Sequence, residues 1–304
     1  MTVDPAIVTP PGAWTHRMVA ANGGRFHVAV TGPDDADTPL VVLLHGFPQF
    51  WWAWRHQLTA LGDAGYRAAA MDLRGYGASD KPPRAYDLPA LVADVAGVIR
   101  SLGSGSAVVI GTGVGGQVAW AMPSLASSTV RAIGVVGAPH PNFLYSLRQR
   151  AVPASTLARV AKFQVPWFPE RSITHGELVA RLLRSWSAPG WSCPDVDLYT
   201  QAARLPFAAH SQMEQLRWLV RSRPRPDGIR YREAVEEPVT VPVLSLHGRL
   251  DGNLPPRACR RDGEMVAGPY SRVVVDGAGH FLPEEAPEAV TDLLLGWLAG
   301  LEED

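Results

Sequence analysis

Cysteine is scarce in this 304-residue chain, occurring only as Cys193 and Cys259, far apart and outside any CxxC or Cys/His cluster. That excludes a disulfide framework and a cysteine-based zinc site, so both thiols read as structural residues. Membrane-length apolar runs are also missing: PLVVLLHG and AIGVVGAP stop well short of the roughly 18 residues a span needs. The opening MTVDPAIVTPPGAW lacks a basic n-region and an apolar h-region, which speaks against a secretory signal. The expectation is a cytoplasmic protein whose only membrane contact would run through a partner. With a net charge of −1, bulk electrostatics gives no ground for expecting nucleic acid. Internal repeats and low-complexity tracts are absent, as are the ligand clusters and phosphate loops that a metal or organic cofactor requires, so no cofactor is expected.

Lysine occurs only at Lys81 and Lys162, so the positive charge is almost wholly arginine. It is unevenly spread. Between Pro141 and Val235 there are fourteen Lys plus Arg against seven Asp plus Glu, a balance of +7 that leaves −8 for the remainder. The hydrophobic content of 46% is ordinary for a chain that buries a large core.

Apolar and β-branched runs predict strands at Arg25–Thr31, Pro39–Leu44, Arg67–Met71, Ser106–Ile110, Val130–Val136, Pro242–Leu246 and Ser271–Val275. Most are continuously apolar, as strands covered on both faces are. Helical patterns fall between them at Trp54–Ala64, Pro89–Ser101, Gly115–Ala126, Pro255–Val266 and Pro287–Gly300. The alternation predicts an α/β fold with a mainly parallel central sheet flanked by helices. From Pro141 to Pro238 the rhythm breaks into helix-like stretches. The expected division is therefore a core of residues 1–140 and 239–304 with a helical cap of residues 141–238 inserted.

Ligand sites of such sheets lie beyond the carboxyl ends of the strands, and four stretches there carry chemistry. In LLHGFPQFWWAWR, His45 and Gly46 follow a strand and open a loop in which the amide of Phe47 is placed as half of an oxyanion hole. GTGVGG, Gly111–Gly116, follows SAVVI and precedes a helix, the context of a G-x-nucleophile-x-G elbow, but Gly113 stands at its apex. Its glycines, at offsets 0, 2, 4 and 5, do not fit the G-x-G-x-x-G dinucleotide fingerprint. LSLHGRLDGNLPP places Asp251 just past a strand, where an acid orients a histidine, although Asp-Gly is also an ordinary turn. VVVDGAGHFLPEEAPE places His280 between the last strand and the last helix. Elbow, acid and histidine in that chain order are far more specific than any one stretch.

With HGFPQFWWAWR, DLRGYGASDKPP at Asp72–Pro83 and GAGHFLPEEAPE in view, the chain resembles the α/β-hydrolase superfamily, in its epoxide hydrolase and haloalkane dehalogenase branch. The resemblance covers nearly the whole chain and implies the α/β-hydrolase fold. It also implies a mechanism in which an elbow aspartate attacks the substrate carbon to form an ester, which a histidine paired with an acid then cleaves with water. Here Gly113 supplies neither lone pair nor charge, and Thr112 precedes it where the branch usually has histidine. Val114 still offers the second oxyanion amide. The two cap tyrosines that donate to the leaving oxygen in the branch fall near Arg159 and Leu216, leaving Tyr145 and Tyr199 as substitutes.

Losing a nucleophile from a catalytic unit costs about 10⁶ in rate, while a general-base pair acting on water is worth about 10² to 10⁴. Two readings follow. The first is a catalytically impaired pseudo-hydrolase that binds a protein or a small ligand. A positive surface of Arg148, Arg150, Arg159, Arg181, Arg184, Arg217, Arg221, Arg223 and Arg225 would meet an acidic partner or anionic lipid. A pocket between core and cap would hold an apolar small molecule, with His45, Trp51, Trp52 and Trp167 expected among its ligand-binding residues. The second is a hydrolase in which Asp251 and His280 activate water against an ester, a lactone or an epoxide.

Overall fold

The computed structural model describes residues 3–36, 38–144 and 152–303. Its eight strands are β1 (Thr15–Ala21), β2 (Gly24–Thr31), β3 (Leu40–Leu44), β4 (Arg67–Met71), β5 (Ala107–Thr112), β6 (Val130–Val136), β7 (Val243–Gly248) and β8 (Tyr270–Val275). They form one sheet in the order β1-β2-β4-β3-β5-β6-β7-β8. The two contacts of β2 are antiparallel and all other pairs are parallel. This is the expected α/β-hydrolase architecture. Its central strands read as unbroken apolar runs because helices cover both faces: every residue of β3, β4, β5 and β7 is buried.

Strand β1 escaped the sequence reading because THRMVAA is an edge strand with its first residues outward, so it shows no apolar run. The sequence does carry another signal for it. Asn22-Gly23, with φ of 43° and 74°, links β1 to β2, and Asn-Gly is favoured where a hairpin turn needs positive φ twice.

Around the sheet pack α1 (Arg55–Asp63), α2 (Leu88–Ser101), α3 (Val114–Leu125), α10 (Leu282–Glu285) and α11 (Pro287–Glu303). The helix expected over Pro255–Val266 is instead two single 3₁₀ turns, Pro256–Cys259 and Asp262–Met265. Asp262, which opens the second turn, points inward to accept the backbone N–H of His140 at 3.0 Å, a tertiary contact that interrupts the helix. Six helices lie between β6 and β7: α4 (Ala154–Phe163), α5 (Phe168–Thr174), α6 (Leu178–Trp186), α7 (Val196–Ala203), α8 (Ala208–Arg221) and α9 (Pro226–Val235). Among the described residues this insertion contains no strand. Arg55 of α1 ties it to the sheet, pairing with Asp195 at 2.9 Å and with buried Glu284 at 2.5 Å.

Candidate active site

The elbow keeps its shape without its side chain. Gly113 ends β5 and caps α3 with φ 53° and ψ −115°, a backbone that ordinary residues reach only under strain. Its neighbours have to be small. A β-carbon on Gly115 would sit 2.5 Å from the Leu44 carbonyl oxygen, and one on Gly111 would sit 2.2 Å from that of Gly115. At Gly113 the only atom within 4 Å of such a carbon would be the Gly46 α-carbon, at 3.3 Å. There is room for a side chain, and none is present.

Asp251 and His280 are brought together by a hydrogen bond. Past β7, Asp251 accepts the backbone N–H groups of Asn253 and Leu254, both at 2.7 Å, on one carboxylate oxygen. The other oxygen accepts from His280 Nδ1 at 2.7 Å, so the ring carries its proton on that side. His280 Nε2 has no partner among the described residues. The loop holding the ring is fixed by Glu285, whose carboxylate accepts the N–H groups of Gly279 at 2.8 Å and Phe281 at 2.8 Å. Trp186 of α6 closes the arrangement: its carbonyl accepts from the N–H groups of Gly252 and His280, and its indole meets the imidazole edge-on with centroids 5.1 Å apart.

Phe47, Gly113, Val114 and His280 line one cavity between the sheet and the inserted helices. Neither the Phe47 nor the Val114 backbone N–H donates to a protein acceptor among the described residues, consistent with the two expected oxyanion amides. Facing them from the insertion are Thr156, Arg159, Phe163, Trp186, Leu216 and Leu219. Arg159 and Leu216, the positions aligned with the family's tyrosines, therefore do line the cavity. Arg159 lies 5.2 Å from the Trp186 ring and donates to Asn253 Oδ1 at 3.3 Å. Gln117, one turn into α3, donates to the Pro139 carbonyl at 2.7 Å while its buried Oε1 is unpartnered. It was not singled out from sequence, although its place four residues past Gly113 puts it on the same helix face.

Four expected ligand-binding residues lie elsewhere. His45 is fully buried beneath the loop, with Nδ1 against the Gly46 carbonyl at 3.2 Å, Nε2 accepting the Leu73 N–H at 3.1 Å, and its ring on Tyr76. Burial pushes its pKa down to about 4, so it serves as a neutral strut. Trp51 points toward the N-terminal strands because Asp72 accepts its backbone N–H at 3.0 Å and its indole donates to the Val8 carbonyl at 2.8 Å. Trp52 packs against Trp14 and Arg55. Trp167 is 84% exposed on the outside of the insertion.

Among the described cap arginines, Arg181, Arg184, Arg221, Arg223 and Arg225 are exposed. Arg217 is buried, pairing with Glu170 and Glu214; Arg221 donates to Gln164, Arg223 to the Leu144 carbonyl, and Arg225 to Asp227. Arg148 and Arg150 lie outside the described residues. Of the substitute tyrosines, Tyr199 is buried against Phe50 and does not line the cavity, and Tyr145 lies outside the described residues.

The α/β hydrolase fold family model matches residues 39–287. Epoxide hydrolase A of Mycobacterium tuberculosis is 33% identical over 96% of this chain and 99% of its own length. Human epoxide hydrolase 4 is 31% identical over 97% of this chain and 82% of its own. Among solved structures, epoxide hydrolase A of Mycobacterium thermoresistibile superposes with a TM-score of 0.80 at 27% identity, covering 94% of this chain and 98% of that one.

Proposed function

The chain belongs to the α/β-hydrolase fold family, among relatives of the epoxide hydrolases, and from that premise we propose that it is a catalytically impaired member whose cavity binds a small apolar molecule without transforming it. One observation carries the reading. No aspartate, glutamate, serine, cysteine, tyrosine or lysine lines the cavity among the described residues, so none of the described side chains there stands in for a nucleophile at Gly113. Its one hydroxyl, on Thr156, already donates to the Asn253 carbonyl at 2.7 Å. Without covalent attack, the Asp251–His280 pair has only water to activate, which falls short of the enzymatic rate by several powers of ten.

The intact Asp251–His280 hydrogen bond favours a second reading, weak hydrolysis of activated esters or lactones. Both are tested together by incubating the purified protein and a His280→Ala variant with a panel of epoxides, lactones and activated esters. The binding reading expects wild type and variant to be indistinguishable, and native mass spectrometry of the fresh protein to show a retained small molecule. Turnover that disappears in His280→Ala would overturn it. For a partner or an anionic surface the cap offers exposed Arg181 and Arg184 beside exposed Phe168, a contact that rising salt would weaken.

A further inference from the structure

We propose that the cavity recognises an apolar monocarboxylic acid, whose carboxyl group sits on the amides of Phe47 and Val114 where the family's enzymes carry their own carboxylate. This deepens the binding reading above and rests on it.

Removing an aspartate from the elbow does more than remove a nucleophile: it removes the negative charge from a site otherwise built of donors. The unpartnered backbone N–H of Val114 remains at the start of α3, a helix of 12 residues whose dipole favours an anion at that end, and that of Phe47 remains in the loop after β3. His280 adds an independent feature. It is 4% exposed, lines the cavity, and spends Nδ1 on Asp251, leaving Nε2 unpartnered. From the opposite wall comes the permanent charge of Arg159, held by Trp186 and Asn253. No acidic side chain lines the cavity among the described residues, and Asp251 lies behind the imidazole ring.

A carboxyl group answers this arrangement atom for atom. One oxygen accepts from the two amides, and the acid's proton lies between the second oxygen and His280 Nε2. With that proton on Nε2, Asp251 balances the imidazolium and Arg159 balances the carboxylate. The other walls, from Phe163, Trp186, Leu216, Leu219 and Leu254, are apolar and suit an alkyl or aryl tail. Charge-assisted hydrogen bonds are about twice as strong as neutral ones, so the acid should be preferred over an isosteric neutral amide.

The test is calorimetric titration of the whole chain with 4-phenylbutyrate and with 4-phenylbutyramide, which share shape and tail. The wild type is expected to bind the acid at least tenfold more tightly than the amide. Gly113→Asp returns the negative charge and should abolish that preference, whereas Gly113→Asn, of the same size but neutral, should keep most of it. Arg159→Gln should weaken the acid and leave the amide within about threefold. Circular dichroism of each variant separates lost binding from lost folding. Equal affinity for the two probes in the wild type, or equal losses in the Asp and Asn variants, would overturn the carboxylate assignment while leaving a neutral-ligand site standing. Failure of both probes to bind at millimolar concentration would overturn this proposal. His280-dependent turnover in the preceding experiment would overturn the reading beneath it.

Discussion

The α-carbon of Gly46 stands 3.3 Å from where a β-carbon on Gly113 would lie, and apart from the adjoining residues no other atom of the described residues comes within 4 Å of that point. The elbow is therefore empty and sterically open. Gly113→Asp should fold, losing about 1–3 kcal/mol in urea unfolding because its φ of 53° falls in the left-handed region. Alone it restores the attacking group but not the acid for the leaving oxygen. Adding Arg159→Tyr and Leu216→Tyr should raise styrene oxide hydrolysis by a further factor of about 10² to 10⁴. Equal rates for the single and triple variants would show that the cavity wall does not supply that acid.

Gly115 presents the opposite case. Its β-carbon would lie 2.5 Å and 2.6 Å from the backbone oxygens of Leu44 and His45, atoms of the sheet and its loop that have nowhere to go. Gly115→Ala should cost about 3 kcal/mol or more, or prevent folding, when compared with Gly113→Ala by urea titration.

Two buried histidines give the fold a predictable acid sensitivity. Desolvation lowers the pKa of His140 to about 4, and His45 reaches about the same value despite the opposing charge of Asp72. Unfolded, each titrates near 6.5, so between about pH 6.5 and 4 the unfolded chain binds protons that the folded chain refuses. Their stabilising contribution is complete above pH 6.5 and is lost as pH falls, by up to about 3 kcal/mol for each ring. His140→Gln should flatten the fall of the urea midpoint over this window. An unchanged slope would mean that His140 titrates normally in the folded state.

Arg55 joins Glu284 beside the histidine loop to Asp195 at the start of α7. Arg55→Ala strands a buried carboxylate and should cost about 3–5 kcal/mol. Replacing Glu284 by Gln in the same chain should return much of that loss, which a double-mutant cycle in urea would measure.

Seven strands were legible from apolar runs alone, because a strand buried on both faces has no polar positions to disguise it. The eighth, β1, shows one face to solvent and was visible only through its Asn22-Gly23 turn. The elbow, Asp251 and His280 were equally legible, since each follows a strand end in a fixed chain order and the parallel sheet brings those ends together. The aromatic residues after His45 were not. Trp51 and Trp52 lie close in sequence to the cavity-lining Phe47, but a hydrogen bond to Asp72 turns Trp51 toward the N-terminal hairpin, while Trp186, far along the chain, becomes the ring over His280.

The chain's own order of residues determined the sheet, the elbow and the bare glycine at its apex, because each depends on neighbours a few positions away and on the presence or absence of a side chain. Only the folded molecule decided what surrounds that gap. Whether another nucleophile reaches it, which arginines face it and which rings wall it in depend on contacts between segments far apart in sequence, set by packing and hydrogen bonds that local patterns do not encode.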